Sequence, residues 1–225
     1  MAAPPTFFDE RKIVACYSIL NEAETIRQSL ISVYPHVDKI LIMDGAYEGW
    51  PSPEDNSTDE TLQRIQEVEE FFGLGKIKLQ QYSRMTQGEK RNKLFTANRP
   101  GDILLVLDGD EILFGNCLSL YRDQFTSMKC STIGYVRVLH WRGAWDWRPR
   151  IFVACSDLKY DHWFRILHGD QVICDLKANP APAPSPDSLF FNGFGVVNLH
   201  LGYRSKERDE AGNVCKEQML REKWR

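Results

Sequence analysis

Three apolar runs constrain this chain most, because each has strand length, is nearly unbroken, and ends on a polar or acidic residue. They are residues 13–19 (IVACYSI), residues 39–43 (KILIM) closing at Asp44, and residues 102–107 (DILLVL) running into Asp108-Gly109-Asp110. A run that is apolar at every position must be covered on both faces, the pattern of strands inside a parallel sheet. Helical segments separate the runs. Asn21 offers an N-cap with Glu22 and Glu24 in the first turn, and Ile26, Leu30 and Val33 recur at helical spacing. Ser57 or Thr58 offers a second cap, for a helix carrying Leu62, Ile65, Val68 and Phe72, and Gly73 and Gly75 stop it. Residues 76–82 (KIKLQQY) alternate as a strand does, residues 87–98 read as a helix ended by Pro100-Gly101, and residues 117–125 as a further short helix. Strand–helix alternation of this kind predicts an α/β fold with a mixed, mostly parallel sheet flanked by helices.

The pattern changes after residue 130. Residues 133–140, 150–154 and 164–167 read as strands joined by loops rich in Trp and His, a partly antiparallel half that completes the sheet. Residues 179–187 (NPAPAPSPD) predict an extended, mobile loop, and residues 205–225 a charged helical tail. At 225 residues the expected organisation is one domain: a ligand-binding half at 11–125, a second half at 126–203 and the tail at 204–225. The net charge of −3 argues against a nucleic-acid polymer as partner. No run approaches the roughly 20 apolar residues that span a bilayer, and the N-terminus lacks a signal-peptide core, so a cytoplasmic protein without a membrane span is expected. The six cysteines (Cys16, Cys117, Cys130, Cys155, Cys174 and Cys215) form no CxxC pair and no cluster with zinc-finger spacing. Buried free thiols are the expected state, above all for Cys16, Cys117, Cys155 and Cys174, which lie in or beside apolar stretches.

Ligands of open α/β sheets bind at the carboxyl ends of the strands. Asn21-Glu22, Asp44 and Asp108-Gly109-Asp110 all fall there. On extended backbone, alternate side chains point the same way, so Asp108 and Asp110 can face one site. Their hard oxygens suit Mg2+ or Mn2+, and the glycine between them admits a ligand close to the backbone. A polar turn after a strand is the other reading of Asp108-Gly109-Asp110, as it is of Asp44. Lys90 or Arg91 would neutralise a diphosphate; the competing reading is a solvated helical face.

Taken in order, strand-Asn21-Glu22, strand-Asp44, Ser57-Thr58-Asp59-Glu60-Thr61, Lys90-Arg91-Asn92 and the stretch from Pro100-Gly101-Asp102 to Asp108-Gly109-Asp110-Glu111 resemble the GT-A fold of family 2 glycosyltransferases, best over residues 11–125. That family opens with a strand and an Asn-Glu helix start and carries an Asp after its second strand. It then has a DGSxDxT-like stretch, an Arg-Asn pair and a DxD motif. The resemblance implies transfer of a sugar, of the hexosyl class, from a nucleotide-diphospho-sugar donor, with a UDP-sugar as first guess. The acceptor is a glycan, small molecule or protein left unidentified. Carried over, Asp44 would hold the base, Asn21 and Glu22 would border the nucleotide, and Arg91 would lie near the ribose or diphosphate. Asp108 and Asp110 would bind ribose and an Mn2+ or Mg2+ ion. His200, in a late His-x-x-Tyr-Arg-Ser-like stretch, is the expected third metal ligand, with His168 the second choice.

Two departures from the family stand out. Residues 45–56 (GAYEGWPSPEDN) form an inserted loop, in which Tyr47 and Trp50 either shape a pocket or pack the loop down. The acidic pair that supplies a general base after the DxD motif is missing. An inverting transfer needs such a base, and Asp146 and Asp161, each beside aromatic residues, are the candidates. Two other readings stay open: a catalytically degenerate fold that binds sugar or protein, and a haloacid-dehalogenase-type phosphatase. The latter would use Asp108-Gly109-Asp110 as nucleophile motif and Gly169-Asp170 to Asp175 as its late motif.

Overall fold

The structure, a computed structural model, describes residues 11–50, 53–115, 118–139, 145–162, 165–175 and 188–198. In chain order the elements are β1 (Ile13–Ile19), α1 (Ile26–Val33), β2 (Lys39–Asp44), α2 (Thr61–Phe72), β3 (Ile77–Gln81), α3 (Gln87–Thr96), β4 (Ile103–Leu107) and β5 (Glu111–Gly115). They continue with α4 (Arg122–Ser127), β6 (Ile133–Leu139), β7 (Trp145–Val153), β8 (Leu158–His162), β9 (Arg165–His168), β10 (Gln171–Asp175) and β11 (Ser188–Asn198). Eight strands form one sheet in the order β3-β2-β1-β4-β7-β6-β11-β5, and β10-β9-β8 form a second. The large sheet is mixed: β1 pairs in parallel with β2 and β4, β2 with β3, and β6 with β11, while β7 lies antiparallel between β4 and β6 and β5 antiparallel to β11. The α/β class and mostly parallel character expected from the sequence are therefore present.

Period-two alternation splits each central strand between two cores. Ile13, Ala15, Tyr17 and Ile19 of β1, Ile40 and Ile42 of β2, and Ile103, Leu105 and Leu107 of β4 enter one core with Ile26, Leu30 and Val33 of α1, Ile65 and Val68 of α2, and Phe125 of α4. Val14, Cys16, Leu41, Met43, Leu104 and Val106 enter the other with Leu94 and Phe95 of α3 and Leu158, Tyr160 and Ile166 of the small sheet. Each fully buried aliphatic side chain contributes roughly 1.5–3 kcal/mol. The second face is thus covered by one helix and a three-stranded sheet rather than by helices alone.

The link from β4 to β5 dictates the overall shape. Four strand spacings separate the two in the sheet order, about 19 Å if the sheet were flat. Only Asp108-Gly109-Asp110 joins them, a reach of at most about 14 Å, and the turn is tight, with the Glu111 N–H donating to the Asp108 carbonyl. The sheet therefore curls, and its β5 edge returns toward the end of β4.

Several sequence expectations change. Asn21 does not cap a helix: it sits in left-handed backbone at φ 51°, which Asn tolerates, and α1 begins only after Thr25. Thr61–Phe72 is preceded by Glu60 as its cap residue rather than by Ser57 or Thr58, while Gly73 ends it at φ 65°. The strongest cap belongs to α3, where Thr86 and Glu89 form a reciprocal capping box. The 117–125 helix resolves into a 3-10 turn at Leu118–Tyr121 followed by α4. β5, β8 and β10 are strands that the sequence patterns do not announce. Of the cysteines expected to be buried, Cys16 and Cys174 are, and Cys130 and Cys155 are half-buried free thiols. Cys117, Cys215, residues 179–187 and the 204–225 tail lie outside the described residues. Among the described residues no helix is long and apolar enough to cross a membrane.

Where β6 passes β7, Gly134 has no room for a side chain: an added Cβ would fall 2.6 Å from Ile151 Cβ and 2.8 Å from a ring carbon of Phe191. Both neighbours are core residues. Gly134→Ala is expected to lower the unfolding free energy in urea by about 1–3 kcal/mol through overpacking. A change within experimental error would show that Ile151 and Phe191 repack freely.

Candidate functional site

The order β2-β1-β4, all parallel, sets three carboxyl ends side by side. The exit from β1 is tied to the entrance of α2. The Asn21 backbone N–H donates to Ser57 Oγ, the Glu22 N–H to Thr61 Oγ1 and the Ala23 N–H to Asp59, while the Asn21 side-chain oxygen accepts from the Thr58 N–H. Glu22 is 6% exposed, and its side chain lies over Gly109, where an added Cβ would sit 2.8 Å from Glu22 Cγ. The glycine between the two aspartates therefore makes room for Glu22, and so locks the β1 and β4 ends together.

Asp44 ends β2 fully buried. Its carboxylate accepts from the Ser57 N–H, from Ser57 Oγ at 2.6 Å and from Gln81 Nε2 at 3.2 Å. The inserted loop is fastened beside it. Asn56 Nδ2 donates to the Asp44 and Tyr82 carbonyls, Arg84 reaches the Trp50 and Glu54 carbonyls, and the Tyr47 hydroxyl lies 2.7 Å from Ser18 Oγ. Tyr47 thus packs the loop against β1.

Lys90 overturns the picture of a solvated helical face. It is 1% exposed, and its Nζ donates to the Ile19 and Gly45 carbonyls at the ends of β1 and β2. Burial pulls its ammonium down to about 7, against Asp44 and Glu22, which favour the charge, and with a further push from Arg91.

Around Asp108 the charges are dense. The Asp108 side chain is 43% exposed and faces the mouth of the curl, with Arg91 Nη2 at 3.7 Å and Arg150 Nη2 at 3.8 Å. Both arginines are nearly enclosed, and among the described residues their buried Nε atoms have no hydrogen-bond partner. Arg91 Nη1 donates to the Tyr160 hydroxyl at 2.9 Å. Behind Asp108, Glu111 is fully buried and pairs with Arg150 at 2.5 Å; its other oxygen accepts from the Asp108 N–H. Burial, with Asp108 adding to it, pushes the Glu111 carboxyl up to about 7 against the pull of Arg150. Asp110 is 1% exposed, enclosed beside this group.

The structure therefore brings Asn21, Glu22, Asp44, Lys90, Arg91, Asp108 and Asp110 to one end of the sheet. Arg150, Glu111, Ser57, Gln81 and Tyr160 join them with roles that no spacing in the sequence signalled; a buried arginine on an antiparallel strand becomes visible only once β7 is placed beside β4. Asp146 lies on the part of β7 that overshoots β4 at this same end, held by Arg148 at 2.8 Å. Asp161 lies on β8 in the small sheet, paired with Arg165 at 2.6 Å. His200 lies outside the described residues. His168 is not with the aspartates: it meets Cys130 and Cys155. Cys155 follows Ala154, which bonds Asp102 at the opposite, amino end of β4.

A neutral Lys90 still donates to both carbonyls, whereas a charged one is buried at a cost. Between about pH 7 and the usual lysine value near 10.5, only the unfolded chain holds this proton, so stability rises with pH across that window. Lys90→Met is expected to remove this rise, so that the wild-type and variant unfolding free energies diverge with pH. Parallel curves from about pH 7 to 10 would refute it.

No protein-family model matches the chain, and no curated protein does. Among solved structures, the chain is similar to a mannosyltransferase of Pyrobaculum calidifontis in complex with GDP-Man and Mn2+, at 17% identity and TM-score 0.41, over 58% of this chain and 35% of that one. It is also similar to glucosyl-3-phosphoglycerate synthase of Mycobacterium tuberculosis. One complex, with Mn2+, UDP-glucose and phosphoglyceric acid, matches at 20% identity and TM-score 0.41 over 60% of this chain and 46% of that one. Another, with Mn2+, UDP and glucosyl-3-phosphoglycerate, matches at 15% identity and TM-score 0.47 over 96% and 83%. In the first two matches the chain spans about a third to a half of the neighbour's length.

Proposed function

We propose that this chain is a metal-dependent, inverting glycosyltransferase that moves a hexosyl group from a nucleotide-diphospho-sugar, a UDP-sugar in the first instance, to an acceptor hydroxyl. The observation that carries the reading is the pair of nearly enclosed arginines, Arg91 and Arg150, on either side of the half-exposed Asp108 at the carboxyl ends of β1 and β4. Their unpartnered Nε–H groups are donors that a diphosphate oxygen would satisfy. The carboxylates of Asp108 and Asp110 fit a hard divalent cation. Both arginines stand beyond hydrogen-bond distance of Asp108, which leaves its lone pairs available, and Asp110 is adjacent.

In this reading Asp108 and Asp110 hold an Mn2+ or Mg2+ ion, with His200 as third ligand; bound there, the ion supplies Lewis-acid stabilisation of the departing diphosphate. Arg91 and Arg150 orient and neutralise the diphosphate. Glu111 fixes Arg150 in place. Asn21 and Glu22 border the nucleotide. At Asp44 a base N–H replaces the Gln81 donor while Ser57 keeps the carboxylate oriented. Asp146, at the same sheet end, takes the proton of the acceptor hydroxyl once Arg148 swings aside; Asp161 is the alternative base.

One observation favours a second reading, a sugar-binding fold without turnover: both base candidates are engaged by arginines. The phosphatase reading loses support, because Asp170 follows His168 at the amino end of β4, away from Asp108.

Thermal and chemical unfolding with UDP, GDP and their sugars, each with and without Mn2+, tests the proposal. A ligand present at 100 times its dissociation constant is expected to add about 2.7 kcal/mol. The gain should depend on Mn2+, vanish in Asp110→Asn and fall in Arg150→Met. No gain with any nucleoside diphosphate overturns the donor site; binding without sugar transfer or donor hydrolysis selects the second reading.

A further inference from the structure

At the amino end of β4, three segments distant in the chain converge. Cys130 sits in the turn between α4 and β6, closed by the Thr132 N–H donating to the Lys129 carbonyl. Cys155 follows β7, and His168 ends β9, where it pairs with Leu158 and Gln171. One ligand atom from each of the three lies within 4.8 Å of the other two. The turn after Cys155 is closed by the Leu158 N–H donating to the Cys155 carbonyl, which leaves the Cys155 sulfur facing that of Cys130 and the His168 ring. All three residues are partly buried: they are screened from bulk water but reachable.

We propose that Cys130, Cys155 and His168 form a zinc site, separate from the carboxylate site, that ties the small sheet to the edge of the large one. The ligand chemistry selects the metal. Two thiolates and an imidazole prefer Zn2+, whereas Mn2+ and Mg2+ prefer the oxygens of Asp108 and Asp110. Zinc bonds of about 2.3 Å to sulfur and about 2.0 Å to nitrogen place ligand atoms within roughly 4 Å of one another, so the cluster needs only slight side-chain closure. Three protein ligands and a water complete the tetrahedron. Each thiol yields its proton to solvent on binding; without metal, burial and the adjacent Cys130 sulfur push the Cys155 thiol up to about 11. The position explains the benefit. Cys130 packs against the core on one face of the sheet and Cys155 against the core on the other, while His168 belongs to the small sheet. One ion would cross-link all three at a single point, beyond the packing and the Tyr135 hydroxyl that donates to Cys174 between the two sheets. From Asp102 to Asp108 the strand runs about 20 Å, which keeps the two metal chemistries apart.

The test is Co2+ titration of the full chain, reduced and stripped of metal with a chelator. Thiolate-to-cobalt charge transfer is expected to saturate at one equivalent and to disappear on adding Zn2+. The band should be lost in Cys130→Ser and Cys155→Ser, affinity should fall by roughly tenfold or more in His168→Gln, and Asp110→Asn should leave the band unchanged. Circular dichroism confirms that each variant is folded. No band in reduced, folded wild type overturns the site, as does a band that survives both cysteine variants. Isolation of a Cys130–Cys155 disulfide whose reduction restores no metal uptake also overturns it.

Discussion

Three residues join β4 to β5, and they are too few to cross a flat sheet. That shortness forces the curl, and the curl decides what stands near Asp108. It brings β5 back with Glu111 at its first position and lets β7, antiparallel beside β4, deliver Arg150 to Glu111 and Asp108. Ser29 of α1 grips the Glu111 carbonyl and Ser32 accepts from the Leu113 N–H, so the helix that follows β1 also fastens the returning strand. The aspartate turn is thus both the short link that curls the large sheet and the centre of the charged site.

Electrostatics in that site follow from enclosure. Asp108, Asp110 and Glu111 crowd one end of the sheet; Arg91, Arg150 and Lys90 answer them from α3 and β7. Breaking one partner of a buried pair costs far more than a surface pair contributes, because the remaining charge is left without compensation. Glu111 and Arg150 therefore stand or fall together, and Asp108, at the mouth, is the member that meets a ligand with least disturbance. Lys90 differs from the arginines, since it donates to two strand-end carbonyls, that of Gly45 and that of Ile19, the latter shared with the Gly45 N–H.

How much of this was legible in the sequence depended on the range of the interaction. Residues 102–107 are apolar on both faces, so their burial between two cores could be read directly, and the aspartates after them had to emerge at a strand end. Asn21 misled because its local signal is that of a helix cap, while in the fold its side chain is claimed by Thr58, a tertiary partner. In β8, Leu158 and Tyr160 alternate with Lys159 and Asp161, a period-two signal too short to separate from the aromatic loops around it. β11 is interrupted by glycines and pairs with strands far from it in the chain. Lys90 looked solvated because it lies in a polar helix; its burial comes from the two strand ends it reaches. Cys130, Cys155 and His168 have no spacing in common, and only the packing of the small sheet against the large one makes them neighbours.

The large sheet also acts as a partition. Along β1 and β4, odd and even positions serve different cores, and side chains on one face touch none on the other. Repacking on the helical face reaches the small-sheet face only through backbone shifts, and the closely hydrogen-bonded centre of the sheet resists those. Changes on the two faces should therefore be close to energetically independent. A lineage can remodel the small-sheet side while the helical side holds the strand ends still. The two histories meet at the rims, where Arg150 of β7 and Arg91 of α3 reach the same aspartate and where Cys130 of one core meets Cys155 of the other.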